Sequence, residues 1–231
     1  MPAKRQRPEL TAHLILRAYS IGVFPMAKSA EDPDLIWLDP DERGVFPLNG
    51  LIISKSLAKV VRSDRFTIRV DHDFKSVIAA CASNAKRQEE TWINQSIRDL
   101  YEELFQQGFV HTIEAYDEQD HLVGGLYGVA LGGAFFGESM FHLAPNASKV
   151  ALVHLIARLK RGHYQLLDTQ FITPHLQSLG AIEIPREDFH TALEAALGVS
   201  ADVSIWSPKM ILSGAEALSL ARAETQNSPL L

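Results

Sequence analysis

Residues 124–141 are apolar almost throughout, yet glycine keeps breaking the run and a single carboxylate, Glu138, sits inside it. So much glycine rules against a helix, and so little polarity rules against a surface loop. Two buried strands joined at Gly132-Gly133 fit best. Glycine inside a strand marks a bulge or a close backbone approach. A carboxylate among buried strands is costly unless it is paired or used. The segment therefore predicts a pocket with Glu138 on its wall.

The chain around it reads as α+β. Leu10, Leu14, Ile15, Ala18 and Tyr19 form one helical face, closed by Gly22. Residues 32–47 are rich in Pro, Asp and Gly and read as turns, although Trp37 is large for a loop. Ser54 is placed to cap a short helix whose outer face carries Lys55, Lys59 and Arg62. A domain boundary is expected near residues 60–65, giving a small N-terminal domain over 1–63 and a larger one over 64–231. Strands are expected at 66–71, 109–116, 122–131, 134–142, 164–170 and 182–184. Helices are expected at 74–83, 97–107, 146–161, 174–179 and 187–197, the 146–161 helix with Asn146 as its cap. The order β-α-α-β-β-β-α-β-α-β predicts a mixed sheet with helices on both faces. Residues 224–231 read as a disordered tail.

Charge narrows the partners. The net charge is −6, which argues against general nucleic-acid binding. Yet residues 1–69 hold 11 Lys/Arg against 8 Asp/Glu, and the remainder holds 11 against 20. A cationic front and an acidic body can serve two unlike partners, or be an ordinary soluble surface. The face of Lys55, Lys59, Arg62 and Arg65 is either solvated or follows a phosphate backbone. A single cysteine, Cys81, suits a reducing compartment. No apolar run reaches the ~18 residues of a membrane span, and no signal-peptide pattern is expected. A cytoplasmic location follows as the expectation. The histidines show no ligand spacing, so no metal is expected.

Asp168 and Gln170 stand at i and i+2 of a predicted strand, so both project from one face near its C-terminal end. Ligands of α/β sheets gather at such ends. The same pattern also fits a strand end entering solvent. Trp92 is either core or a flat face for a nucleobase. Glu138-Ser139 lacks the following glycine of a nucleophile elbow, and Gly124-Gly-Leu-Tyr-Gly128 opens no helix, so neither is a known loop motif.

Gly22-Val-Phe-Pro-Met26, Thr91-Trp-Ile93, 122–131, Phe136-Gly-Glu-Ser-Met-Phe141, Asn146-Ala-Ser-Lys149, Asp168-Thr-Gln170 and 175–181 stand in one order along the chain. Together they resemble the leucyl/phenylalanyl-tRNA protein transferase family. The resemblance implies an acetyltransferase-like (GNAT-type) sheet after the small N-terminal domain, which helps hold the tRNA 3′ end. It implies transfer of Leu or Phe, less well Met, from aminoacyl-tRNA to the α-amino group of proteins beginning with Arg or Lys. Those products enter regulated proteolysis. No cofactor and a monomer are expected. By position, the catalytic pair falls on Asp168 and Gln170, and the acceptor-binding acid on Glu138. The aminoacyl pocket falls on Leu126, Phe135, Leu152, Leu155 and Leu167. The terminal adenosine falls between Met26 and Trp92, with Tyr19 nearby. Two departures stand out. The usual Trp-Trp-Ser-Pro-Asp-Pro-Arg becomes Trp37-Leu-Asp-Pro-Asp-Glu-Arg43, which weakens any role for that loop. Thr169 replaces a frequent Cys and is expected to face away from the pair.

An activated ester makes aminolysis downhill, so alignment of amine and carbonyl at about 3–3.5 Å is the main task. Either Gln170 accepts the amine's hydrogen bond while Asp168 orients it, or Asp168 takes the proton through water. Two rivals remain. An acyl-CoA acyltransferase needs a glycine-rich pyrophosphate loop, which residues 142–149 lack. A non-catalytic binder of basic N-termini needs no Asp168/Gln170 pair.

Overall fold

The computed structural model describes residues 10–30, 32, 34–83 and 92–224. The basic start of the chain, Glu89 to Thr91 and the tail from 225 lie outside the described residues.

The expected element order appears almost residue for residue after position 66. Strand β4 (Thr67–Val70) leads to helices α3 (Phe74–Ser83) and α4 (Gln95–Gln106). Strands β5 (Val110–Tyr116), β6 (Leu122–Leu131) and β7 (Ala134–His142) then form a meander. Helix α5 (Ala147–Arg161), strand β8 (Leu166–Gln170), helix α6 (Pro174–Ser178), strand β9 (Ile182–Pro185) and helix α7 (Arg186–Leu197) follow. A further helix, α8 (Gly214–Arg222), opens with a Ser213/Glu216 capping box and has no counterpart among the elements expected from sequence.

Ahead of these come α1 (Ala12–Ser20), the hairpin of β1 (Phe24–Ala27) and β2 (Leu35–Leu38), strand β3 (Glu42–Val45) and α2 (Lys55–Arg62). Two corrections concern this region. Residues 32–47 are not only turns, since they supply β2 and β3. Trp37 lies on β2 and stays 39% exposed.

The main sheet has seven strands in the order β4-β5-β6-β7-β8-β3-β9. Strand β3 is inserted antiparallel between β8 and β9, so this early segment completes the sheet. Helix α2 packs its Leu57, Ala58 and Val61 into the core shared with α5 and α8. Residues 42–62 are thus continuous with the larger unit, and a boundary at 63/64 cuts through a shared sheet and core.

Helices cover both faces. One core joins α2, α5 and α8 to the sheet, and the other joins α1, α3, α4 and α7. Each fully buried Leu, Ile or Phe contributes about 1.5–3 kcal/mol of transfer free energy. Two buried cations of α5 fasten the C-terminal segment. Arg158 donates to the carbonyls of Ile205 and Met210, and Lys160 Nζ donates to those of Ala221 and Ala223 at the end of α8.

Candidate active site

The site begins as a fault in the sheet. Strands β7 and β8 pair in parallel only from Ala134/Leu166 to Phe136/Asp168. Beyond that point, no ladder bond joins them among the described residues. On the other side of β7, Tyr127 pairs with Ser139 and Gly128 with Gly137, so Glu138 is the extra residue of a β-bulge. The bulge changes which residues face which layer. Phe135 and then Met140 belong to the α5 side, while Phe136 and then Phe141 belong to the α3 side. Glycine at 128 is obligatory, because a Cβ there would sit 2.3 Å from the Phe136 carbonyl oxygen.

The gap is a cavity of about 710 Å³ lined from β1, β6, β7, α5, β8 and α6. Its apolar wall contains Leu126, Leu152, Leu155 and Leu167, together with Phe46 and Met140. Phe135 is a correction. It is buried in the same layer as the wall but stacks on Trp206 at 5.3 Å between ring centroids, where β7 and β8 are still paired ahead of the gap. Met26 and Trp92 both line the cavity.

Gln170 and Asp168 come together, but not through simple alternation. Gln170 has φ +57, outside the strand region, so the backbone turns over at the strand end. The turn crosses Gly44 of β3, where a Cβ would meet the Phe171 carbonyl carbon at 2.8 Å. Gln170 lines the cavity and Asp168 does not. Asp168 is buried and accepts from the Gln170 backbone N–H at 2.9 Å and from its amide Nε2 at 3.3 Å. With its nitrogen committed to Asp168, the Gln170 amide keeps its oxygen as the free acceptor. Thr169 is a correction. It does not face away from the pair but stands on the cavity wall with Gln170 and Leu167, because Gln170 turns over at the strand end.

Arg43 is the residue that sequence reasoning passed over. Its Nε and Nη2 grip both carboxylate oxygens of Asp168 at 2.9 and 2.7 Å. Nη1 donates to the Gly22 carbonyl, and the guanidinium lies between the rings of Phe24 and Phe189 at 4.5 and 4.3 Å. The divergent loop 37–43 therefore ends on the group that neutralises Asp168.

Glu138 meets the N-terminal segment from the opposite side. Tyr19 donates to its Oε1 at 2.6 Å and Tyr101 to its Oε2 at 3.2 Å, and the two hydroxyl oxygens lie against each other. Tyr19 is thus a correction. It is buried beneath Glu138 rather than lining the cavity beside an adenosine, because its position on α1 faces inward. Burial pushes the Glu138 carboxyl up to about 8, against the lowering effect of both tyrosine hydroxyls. Burial, and then the nearby Glu138 charge, raises both tyrosines well above their ordinary value.

His142 and His175 also line the cavity. Burial, with Lys149 and His142 nearby, holds His175 below the usual histidine value. Asn146 precedes α5 but is no side-chain cap, because φ +70 turns its amide away from the helix N–H groups. Lys55, Lys59, Arg62 and Arg65 are solvent-exposed on and after α2, and none lines the cavity.

This architecture has named relatives. A leucyl/phenylalanyl-tRNA--protein transferase of Afipia carboxidovorans is 53% identical over 217 residues, 94% of this chain and 95% of that protein. One of Rhodospirillum rubrum is 52% identical over 202 residues, 87% of this chain and 94% of that protein. Among solved structures, L-PGS from Bacillus licheniformis is 12% identical with a TM-score of 0.39, covering 69% of this chain and 51% of that one, a likeness too loose to build on. A family model described as leucyl/phenylalanyl-tRNA protein transferase matches residues 45–194, and the model of its N-terminal domain matches residues 8–41. The chain belongs to the leucyl/phenylalanyl-tRNA protein transferase family.

Proposed function

We propose that this protein transfers leucine or phenylalanine, and methionine less well, from charged tRNA to proteins whose first residue is arginine or lysine. One observation carries the reading: a cavity in which the Gln170 amide, held by Asp168, shares the walls with an apolar lobe and with Glu138. The aminoacyl side chain occupies the lobe of Leu126, Leu152, Leu155 and Leu167. A straight or γ-branched side chain passes its neck, whereas branching at Cβ crowds the backbone. Met26 and Trp92 flank the terminal adenosine, and the cationic face of α2 follows the tRNA backbone. The N-terminal segment serves this tRNA end, and the larger sheet is of the acetyltransferase (GNAT) type. Products enter regulated proteolysis through their new N-terminal residue. The setting is the cytoplasm, in keeping with a lone buried Cys81, and the enzyme works as a monomer without a cofactor.

In this mechanism Gln170 and Asp168 divide the work. Asp168 is fully paired with Arg43 and closed off from the cavity, which favours orientation over proton transfer. The Gln170 oxygen accepts a hydrogen bond from the attacking amine and aligns it on the ester carbonyl. Glu138 is the acidic group that meets the acceptor's N-terminus.

The test is transfer of labelled leucine from charged tRNA to a peptide beginning with arginine, beside one beginning with alanine. Label on the arginine peptide alone is the expected result. Equal labelling, or none, overturns the reading. A binder of basic N-termini without chemistry would retain the arginine peptide and leave it unlabelled.

A further inference from the structure

The amine of an acceptor protein arrives largely as an ammonium, and an ammonium has no lone pair to attack with. A group on the cavity wall must first take a proton. Gln170 cannot hold one, because a neutral amide is too weak a base. Asp168 does not line the cavity, and its two oxygens are filled by Arg43 and Gln170. His142 and His175 do line it, but they cluster with Lys149 rather than with the Asp168 pair. Glu138 lines the same cavity as Gln170, and the charges of Asp168 and Arg43 both act on it.

The peculiarity of Glu138 is its support. It is the bulged residue of β7, turned toward two hydroxyls that reach it from different helices, Tyr19 of α1 and Tyr101 of α4. Each hydroxyl serves a different carboxylate oxygen, and the two hydroxyls lie against each other. Both tyrosines are fully buried, so these donors cannot swing away or be replaced by water. Such fixed donors belong to a carboxylate whose charge and direction both matter.

We propose that Tyr19 and Tyr101 are positioning residues that make Glu138 the proton acceptor for the incoming amine. This rests on the acceptor reading of the cavity given above. In the step, an N–H bond of the ammonium breaks and an O–H bond forms on Glu138. The freed nitrogen lone pair bonds to the ester carbonyl carbon, and the bond from that carbon to the tRNA ribose oxygen breaks. The second proton lost by nitrogen goes to that oxygen as it leaves as a hydroxyl. Glu138 then returns its proton to solvent through the cavity.

The proton affinities suit the exchange. An ordinary carboxylate lies far below an α-amino group at roughly 7.7–8.0 and would leave the ammonium intact. Burial raises Glu138 to about 8, into the range of the amine, so a proton can pass between them. The groups facing it are Tyr19, Tyr101 and Tyr127, with Asp168 and Arg43 on β8 and β3. Burial and Asp168 raise its affinity, while the two tyrosine hydroxyls and Arg43 lower it.

Tyr19→Phe and Tyr101→Phe each keep the ring and remove one donor. Leucine transfer is followed against pH on both sides of neutrality, with charged tRNA saturating and the arginine peptide limiting. Each variant is expected to move the alkaline limb of kcat/KM for the peptide upward and leave KM for charged tRNA unchanged. Glu138→Gln is expected to abolish that limb and slow transfer about 10²–10⁴-fold. Superimposable profiles for wild type and both tyrosine variants overturn the assignment, as does a limb that disappears in His142→Gln or His175→Gln. If wild type itself transfers nothing, the functional reading fails instead. Should a variant not fold, wild type still decides. Calorimetry of arginine-peptide binding in two buffers of different ionisation heat should show release of nearly one proton per peptide below neutrality, and no release overturns the proposal.

Discussion

Arg43 and Asp168 meet through two parallel hydrogen bonds, Nε to Oδ1 and Nη2 to Oδ2, with both side chains 1% exposed or less. The pair joins β3 to β8 and, through Arg43 Nη1, reaches back to Gly22 just before β1. A buried ion pair is a hazard when halved, because the survivor is left charged without water. Arg43→Leu should therefore lower stability by about 3–5 kcal/mol, read from urea unfolding. Arg43→Lys should also lose transfer activity, since an ammonium cannot reproduce the two-pronged contact. The double variant Arg43→Leu/Asp168→Leu should recover much of the stability and none of the activity.

Leu152 and Leu155 lie on one face of α5 and form the wall opposite Leu126 and Leu167. Leu155→Phe should narrow this lobe. In competition between leucyl- and phenylalanyl-tRNA, the ratio should swing toward leucine by roughly 10–200-fold. An unchanged ratio would show that the lobe does not read the aminoacyl side chain.

Lys55→Glu and Lys59→Glu reverse charges on the exposed face of α2 and touch no buried group. KM for charged tRNA should rise, and the dependence of log affinity on log salt should flatten by about one unit for each phosphate no longer neutralised. KM for the acceptor peptide should stay the same.

His154 sits in the middle of α5, buried, with Nδ1 unpartnered among the described residues. Burial, and then Arg158, lowers its pKa from 6.5 to about 4. The unfolded chain therefore takes up a proton between those values that the folded chain refuses. His154 should cost no stability above pH 6.5 and an increasing amount as pH falls toward 4. His154→Leu should flatten that pH dependence in urea melts recorded at several pH values.

Glu138 acts in the opposite sense. Its pKa rises from 4.5 to about 8 on folding, so the native state keeps a proton that the unfolded state releases. Stability should fall as pH climbs between those values. Glu138→Gln should raise the melting temperature most at the alkaline end while slowing transfer. A variant both more stable and slower would mark Glu138 as retained for chemistry at the expense of folding.

Much of the fold is readable from local patterns, and local patterns survive folding. The alternation of β5 to β7, the stripe of Ile97, Leu100, Tyr101 and Leu104 on α4, and the turn at Gly132-Gly133 are of this kind. Strand β3 was not readable, because Glu42-Arg-Gly-Val45 has no strand pattern of its own. It becomes a strand only where β8 and β9 offer edges on either side. Arg43 was hidden for the same reason, since its partner lies 125 residues along the chain. Phe135 was misplaced because composition cannot tell a wall from the paired stretch of strand ahead of it. Asn146 has the right side chain for a cap and the wrong backbone, which only φ reveals.

The parting of β7 from β8 after Phe136/Asp168 has one more consequence. Past that point β7 runs on to His142 with no partner strand on its β8 side among the described residues. Its edge therefore offers main-chain amides and carbonyls to the opening, whereas on β8 the Gln170 backbone amide is held by Asp168 and the Thr169 carbonyl by Phe171. Whatever enters can be gripped by these groups irrespective of its sequence, as a guest strand is. No substitution of a side chain removes them. A proline placed on that edge would delete an amide donor without changing the cavity's lining of leucines, and would separate recognition of a guest's main chain from recognition of its first residue.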